Sequence, residues 1–216
     1  MHPQVQQSFA ITDQSGMLSG MGSNDAPSAS TAVVHVLSAG YVGPRTASTV
    51  GYVLDGALRL VVDPGMVADR STAILEPLGA LGGDPDAVTD VVFSHHHPDH
   101  TLNAALFPRA RYHDHWAIYH HDEWTDRDAE GYQLSDSVRL IRTPGHTPED
   151  ITTLVGTTDG VVAFTHLWWN ASGPVEDPYA VDPVALHAGR ARVLAVADLV
   201  VPGHGAAFKP GPDTPR

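Results

Sequence analysis

Seven residues, SHHHPDH at 94–100, hold four histidines and one aspartate, and they directly follow an apolar run, AVTDVVF at 87–93. A buried strand that ends in so many imidazoles constrains fold and chemistry together. In an extended segment the side chains at i and i+2 fall on one side, so His95 and His97 can grip one ion. After Pro98 the chain turns, and Asp99 and His100 can face a second. Imidazole together with carboxylate suits zinc and other late first-row ions, with iron and manganese as alternatives. Three more histidines stand beside Gly or Thr at the ends of strand-like runs: His146 in TPGH, His166 in FTH and His204 in PGHG. Strand ends are where a rigid scaffold presents its functional loops.

The rest of the chain supplies such a scaffold. AVVHVL (32–37), TVGYVL (49–54) and LRLVVD (58–63) are β-branched or alternating runs, and Asp55-Gly56 between the last two is a hairpin signal. VRLIRT (138–143), ITTLVG (151–156), VVAFTHL (161–167) and DLVVPGHG (198–205) read as further strands. Residues 69–81 predict a helix bent at Pro77, 101–107 a short helix, 111–115 a strand and 115–124 a helix or loop. The clearest helix is 183–197, capped by Asp182, with Pro183 in its first turn and Val184, Leu186, Val193, Leu194 and Ala197 at apolar positions. This order predicts an α/β (α+β) domain over 32–216, two mixed sheets packed together with helices outside. Residues 1–31, rich in Ser, Gly and Gln, read as an N-terminal extension.

Composition removes several functions. A formal net charge of -13 opposes nucleic acid and anionic lipid. Without cysteine there is no disulfide, thiolate nucleophile or Cys-type zinc site. No apolar run approaches the roughly 20 residues that span a bilayer, and the N-terminus lacks a basic segment followed by an apolar one. These features predict a cytoplasmic protein with a small-molecule substrate and no nucleic-acid or membrane partner; a homodimer is left open.

HHHPDH fits the H-x-H-x-D-H signature of the metallo-β-lactamase superfamily, and LVVDPG (60–65), TPGHTPED (143–150) and VPGHG (201–205) resemble its accompanying motifs in the same order. The resemblance covers about residues 32–208 and implies an αββα sandwich with the site at one edge between the sheets. It is nearest the branch that contains glyoxalase II, lactonases and small metallo-β-lactamase-domain proteins. It implies that His95, His97 and His146 hold a first metal, that Asp99, His100 and His204 hold a second, and that Asp63 orients ligands from behind. One position departs: where the family has an aspartate bridging both metals, this chain has His166. A neutral imidazole has one free lone pair, so His166 is expected to ligate one metal only, leaving the second ion weaker or absent. Trp168, Trp169 and Trp116, with Tyr119 and Trp124, occupy segments that wall the substrate pocket in the family. His96, His113, His115, His120 and His121 have no motif partner.

The expected activity is hydrolysis of a small ester, thioester or lactone by a metal-bound hydroxide, with Asp99 taking a proton from the attacking water and one or two Zn2+ per chain. The chain's end soon after His204 argues against glyoxalase II itself, which carries a glutathione-binding helical domain there. The alternatives are a persulfide dioxygenase with a single iron and a non-catalytic metal-binding protein.

Overall fold

The computed structural model describes residues 25–216, so most of the extension expected at 1–31 lies outside the described residues. The last part of it packs on the domain. Ala29 N donates to Asp136 O at 2.9 Å, and Asp25 pairs with Arg192 at 2.7 Å.

Two sheets face each other. The first runs in spatial order β1 (Val33–Ser38), β2 (Val50–Asp55), β3 (Leu58–Val62), β4 (Asp90–Val92), β5 (Arg111–His113), β6 (Ala117–His120), β7 (Glu123–Asp126). The second runs in spatial order β12 (Leu199–Pro202), β11 (Gly160–Thr165), β10 (Ile151–Thr157), β9 (Val138–Arg142), β8 (Gln133–Ser135). Pairing is parallel at β3–β4, β4–β5 and β11–β12 and antiparallel elsewhere. Strand alternation sorts the core. Leu58, Leu60 and Val62 of β3 and Val92 of β4 meet Val138, Leu140, Ile151 and Phe164 between the sheets. The intervening Val61 and Val91 turn outward onto Ile74 and Leu78. Ile141, Leu154 and Val200 turn outward onto Leu186 and Val193 of the helix Pro183–Leu194. Each fully buried Leu or Val adds roughly 1.5–3 kcal/mol. The layers are therefore helix, sheet, sheet, helix, as expected.

Backbone and hydroxyl contacts fasten the sheets at both ends. At one end Ile151 N donates to Ser94 O at 2.8 Å and Thr49 N to Gly203 O at 2.7 Å. At the other, Thr31 Oγ1 donates to Asp55 Oδ1 at 2.8 Å and lies 3.0 Å from Ser137 Oγ.

Three elements differ from expectation. Residues 115–124 contribute a β-hairpin, β6–β7, rather than a helix or loop. The turn that leads from β5 into it starts from Asp114, whose Oδ1 accepts from the backbone N of Trp116 and Ala117 at 2.7 and 2.8 Å. The segment 69–81 opens with a π-type turn, Ser71–Leu75, before the helix α1, Glu76–Ala80. The short helix after the histidine cluster starts earlier than expected, as α2, Pro98–Thr101, followed by a 3-10 turn at Ala104–Leu106. The long helix is α3, Pro183–Leu194, with Asp182 accepting from Ala185 N at 2.9 Å.

Candidate metal centre

The site lies where β4, β9, β11 and β12 end. Past β4 the chain bends at Ser94 and His95, is extended at His97 (φ -62, ψ 142) and then turns into α2 at Pro98. His95 and His97 come together. His95 Nε2 lies 3.0 Å from His97 Nδ1, while His96 points outward, stacks on Trp116 and reaches Asp114 at 3.2 Å. The turn of α2 brings His100 back under the cluster with Asp99 beside it; Asp99 Oδ2 is 3.6 Å from both His100 Nε2 and His204 Nε2.

His146 arrives from the loop after β9. Its Nε2 is 3.1 Å from His97 Nδ1. Gly145 lets this loop touch α3, since a Cβ there would sit 2.6 Å from Leu186 Cα. Asp150 fastens the loop by accepting from Thr147 N and Thr147 Oγ1, both at 2.7 Å. Burial pushes the Asp150 carboxyl up to about 6, although the Thr147 bonds pull the other way. A carboxyl raised above its unfolded value of about 3.9 stabilises the fold at low pH, and that contribution is lost as pH rises from about 4 through 6. Asp150→Asn removes this loss. In urea titrations of metal-free protein, the stability of the variant relative to wild type is expected to rise by about 2–3 kcal/mol between pH 4 and pH 7.

His166 follows β11 and is wholly enclosed. Its Nε2 is 3.0 Å from His204 Nε2, and its ring centre is 4.2 Å from that of His146 and 4.5 Å from that of His95. One ligand atom each from His95, His146 and His166 falls within 4.8 Å of the others, and so does one each from His100, His166 and His204. His166 thus stands between two donor sets. Gly203 makes this possible: a Cβ there would lie 2.4 Å from His166 Cδ2.

Carboxylates, a hydroxyl and a carbonyl behind the rings fix which nitrogen faces inward. Asp63 Oδ2 is 2.8 Å from His100 Nδ1, and the same carboxylate accepts from Ser94 N and Ser94 Oγ at 2.7 Å. It does so from a left-handed backbone (φ 50), a conformation that costs about 1 kcal/mol in a residue with a Cβ. Ser94 Oγ is 3.0 Å from His95 Nδ1, and His204 Nδ1 faces Ala47 O at 3.0 Å. Behind His146 is a residue that no motif pointed to: Asp177 Oδ2 is 2.7 Å from His146 Nδ1. It lies in the irregular segment between β11 and α3, which carries neither a periodic pattern nor a motif.

The donor set suits a metal ion. The contacts of 3.0 and 3.1 Å around His97 Nδ1 match edges of a coordination polyhedron, about 2.9 Å if octahedral and about 3.4 Å if tetrahedral for bonds near 2.05 Å. His100 Nε2 and His166 Nδ1 are buried without a hydrogen-bond partner. Burial first, then the charge of neighbouring imidazoles, pushes His95 and His166 well below the usual histidine range. The rings of His95 and His166 are therefore neutral, and the inward nitrogens of the cluster crowd together in an arrangement that a cation satisfies.

The centre opens into a cleft of about 400 Å³ that Trp169, Tyr179, Val42 and Thr46 help to line. Of the three tryptophans expected at the pocket, only Trp169 is there. Trp168 faces the opposite way, is fully buried in the core against α3 and donates from Nε1 to Pro215 O at 2.7 Å. Neighbouring residues leaving a strand point to opposite sides, so only one of the pair can reach the cleft. Trp116 is half exposed and lines a separate depression with His115, Arg127 and Arg142. Tyr119 binds Asp114 and Trp124 is exposed, both away from the centre.

Comparison with known proteins agrees with this geometry. Residues 43–215 match the family model described as the metallo-beta-lactamase superfamily. A Xenopus laevis protein named metallo-beta-lactamase domain-containing protein 1 is 33% identical over 189 residues, covering 82% of this chain and 81% of its own. A crystal structure of a metallo-beta-lactamase-like protein from Thermotoga maritima superposes with a TM-score of 0.68 at 25% identity, covering 83% of this chain and all of the other. An N-acyl homoserine lactone hydrolase with product at its catalytic metal centre shares the fold, with a TM-score of 0.59 at 17% identity over 81% of this chain and 93% of its own. The chain belongs to the metallo-β-lactamase superfamily.

Proposed function

We propose that this protein is a metal-dependent hydrolase of a small, uncharged ester, thioester or lactone. The observation that carries the reading is the junction of two imidazole-rich donor sets with an aromatic-sided cleft whose lining, among the described residues, contains no Lys or Arg. The lactone hydrolase of the same fold adds support. In this reading His95, His97 and His146 form one ligand set, and Asp99, His100, His204 and His166 the other. Zinc is the preferred ion at one or two per chain, with iron or manganese as the alternatives. Such an ion supplies Lewis acidity and lowers the pKa of water to about 7.

The chain's own residues do the rest. Asp63, Ser94, Ala47 O and Asp177 hold the imidazoles in the tautomer that leaves the inward nitrogen free. Asp99, partly exposed at the cleft, accepts a proton from the attacking water. Trp169 and Tyr179 cover an apolar acyl or ring group and exclude solvent from it. No helix among the described residues is long and apolar enough to cross a membrane. A cytoplasmic setting and a small-molecule partner, rather than nucleic acid or a membrane, belong to the same proposal.

Metal analysis of protein purified without chelator, joined to a panel of esters, thioesters and lactones, tests this. We expect one to two equivalents of zinc and turnover that falls at least about a hundredfold with chelator and returns with Zn2+. Full metal with no turnover across the panel would reject the hydrolase. Iron alone, with oxygen uptake on a persulfide, would replace it with the dioxygenase reading.

A further inference from the structure

Asp177 meets three groups at once. Its Oδ2 is 2.7 Å from His146 Nδ1 and accepts from Trp169 Nε1 at 3.2 Å, and its Oδ1 accepts from Tyr179 N at 2.9 Å. Its side chain is only 2% exposed. Trp169 and Tyr179 in turn stack on each other, with ring centres 5.8 Å apart at 14°, and both border the cleft over His146.

We propose that Asp177 is a positioning residue that couples the ion held by His146 to the aromatic wall of the substrate cleft. The inference rests on the metal centre described above. Three consequences follow from one carboxylate. By accepting from Nδ1–H it fixes the His146 tautomer and aims Nε2 at the donor set; such partners carry 10–100-fold in metal affinity. By accepting from the indole N–H it sets the plane of Trp169. By accepting from Tyr179 N it holds the backbone on which the second ring rides. An ion drawing electrons from His146 makes Nδ1–H a stronger donor, which tightens the carboxylate in the one place where it also holds the wall. Coupling between two binding events is reciprocal, so a flat or apolar group seated on the Trp169–Tyr179 stack tightens the ion by the same factor by which the ion tightens that group.

The test uses metal-free protein, Zn2+ and a chromophoric competing chelator. Asp177→Asn is expected to weaken one zinc equivalent about 10–100-fold while the apo-protein melts within a few degrees of wild type. Asp177→Glu is expected to recover most of that loss. The emission of Trp169, identified as the component missing in Trp169→Phe, is expected to change when Zn2+ is added to wild type and to stay unchanged in Asp177→Asn saturated with zinc. Zinc affinity in Asp177→Asn within threefold of wild type would overturn the proposal. So would Trp169 emission in the wild type that does not respond to zinc, a readout that remains if the Asn variant does not fold. Neither measurement needs turnover, so a chain that hydrolyses nothing still decides this question separately from its activity.

Discussion

Replacing His95 with alanine is expected to lower kcat/KM on any substrate of the panel by at least about a thousandfold, roughly 4 kcal/mol of barrier, and to release one equivalent of zinc. His95 is 1% exposed. It is joined to Ser94 behind and to His97 in front, at 3.0 Å each, so no other side chain can move into its place. Ring contacts place His95 against His97, His100, His146 and His166. Its loss is therefore felt by both donor sets, and the remaining ion should be held less tightly as well. Steady-state kinetics with metal analysis on one preparation checks this. Unchanged turnover in His95→Ala at full metal content would move the chemistry away from this centre.

Arg190→Met is expected to destabilise the fold strongly, although the residue lies outside the site. Arg190 is fully buried in α3 without a carboxylate contact among its hydrogen bonds. It donates to three main-chain carbonyls: Leu167 at 2.8 Å, Val175 at 2.6 Å and Pro174 at 2.8 Å. It also lies over the Trp168 ring, 5.6 Å from its centre. Methionine fills much of the space but leaves these oxygens unpaired, at about 1 kcal/mol each or more. A loss of about 3 kcal/mol lowers Tm by roughly 6–12 °C in a chain of this length. The affected carbonyls belong to the segment that leads to Asp177, so zinc affinity should fall along with Tm. Thermal unfolding with and without zinc separates the two effects.

Much of this architecture is legible in the sequence because burial imposes a period. β2 and β3 fall within a residue of their expected limits, with the turn at Asp55-Gly56, since both strands pack two apolar faces. The donors are legible because metal ligation demands particular side chains at particular spacings, and His95, His97, His100, His146 and His204 converge from three separate segments. What escaped is what burial does not pattern. β7 is exposed at all four positions, so its sequence EWTD has no reason to alternate. In α3, Val184 reads as an apolar position yet is 80% exposed, while Gly189 and Arg190 are buried; between the apolar contacts of Leu186 and Val193 the helix packs through a close approach and a carbonyl-binding guanidinium. Trp168 and Trp169 look equivalent in a string of letters, and only their alternation past β11 assigns one to the core and the other to the cleft. Asp177 acts through the fold of an irregular loop, which no local pattern announces.

The fastening of the two sheets at both ends bears on how the ions are chosen. With Ser94 bound to Ile151 and Thr49 to Gly203 beside the donors, and Thr31, Asp55 and Ser137 closing the far end, the sandwich has little freedom to slide or splay. The ordering entropy of the ligands is spent when the chain folds, so an incoming ion meets a cage of nearly fixed size. Selection among cations then falls on radius and preferred geometry, and an ion that needs a larger or more irregular shell has to deform two sheets at once to obtain it.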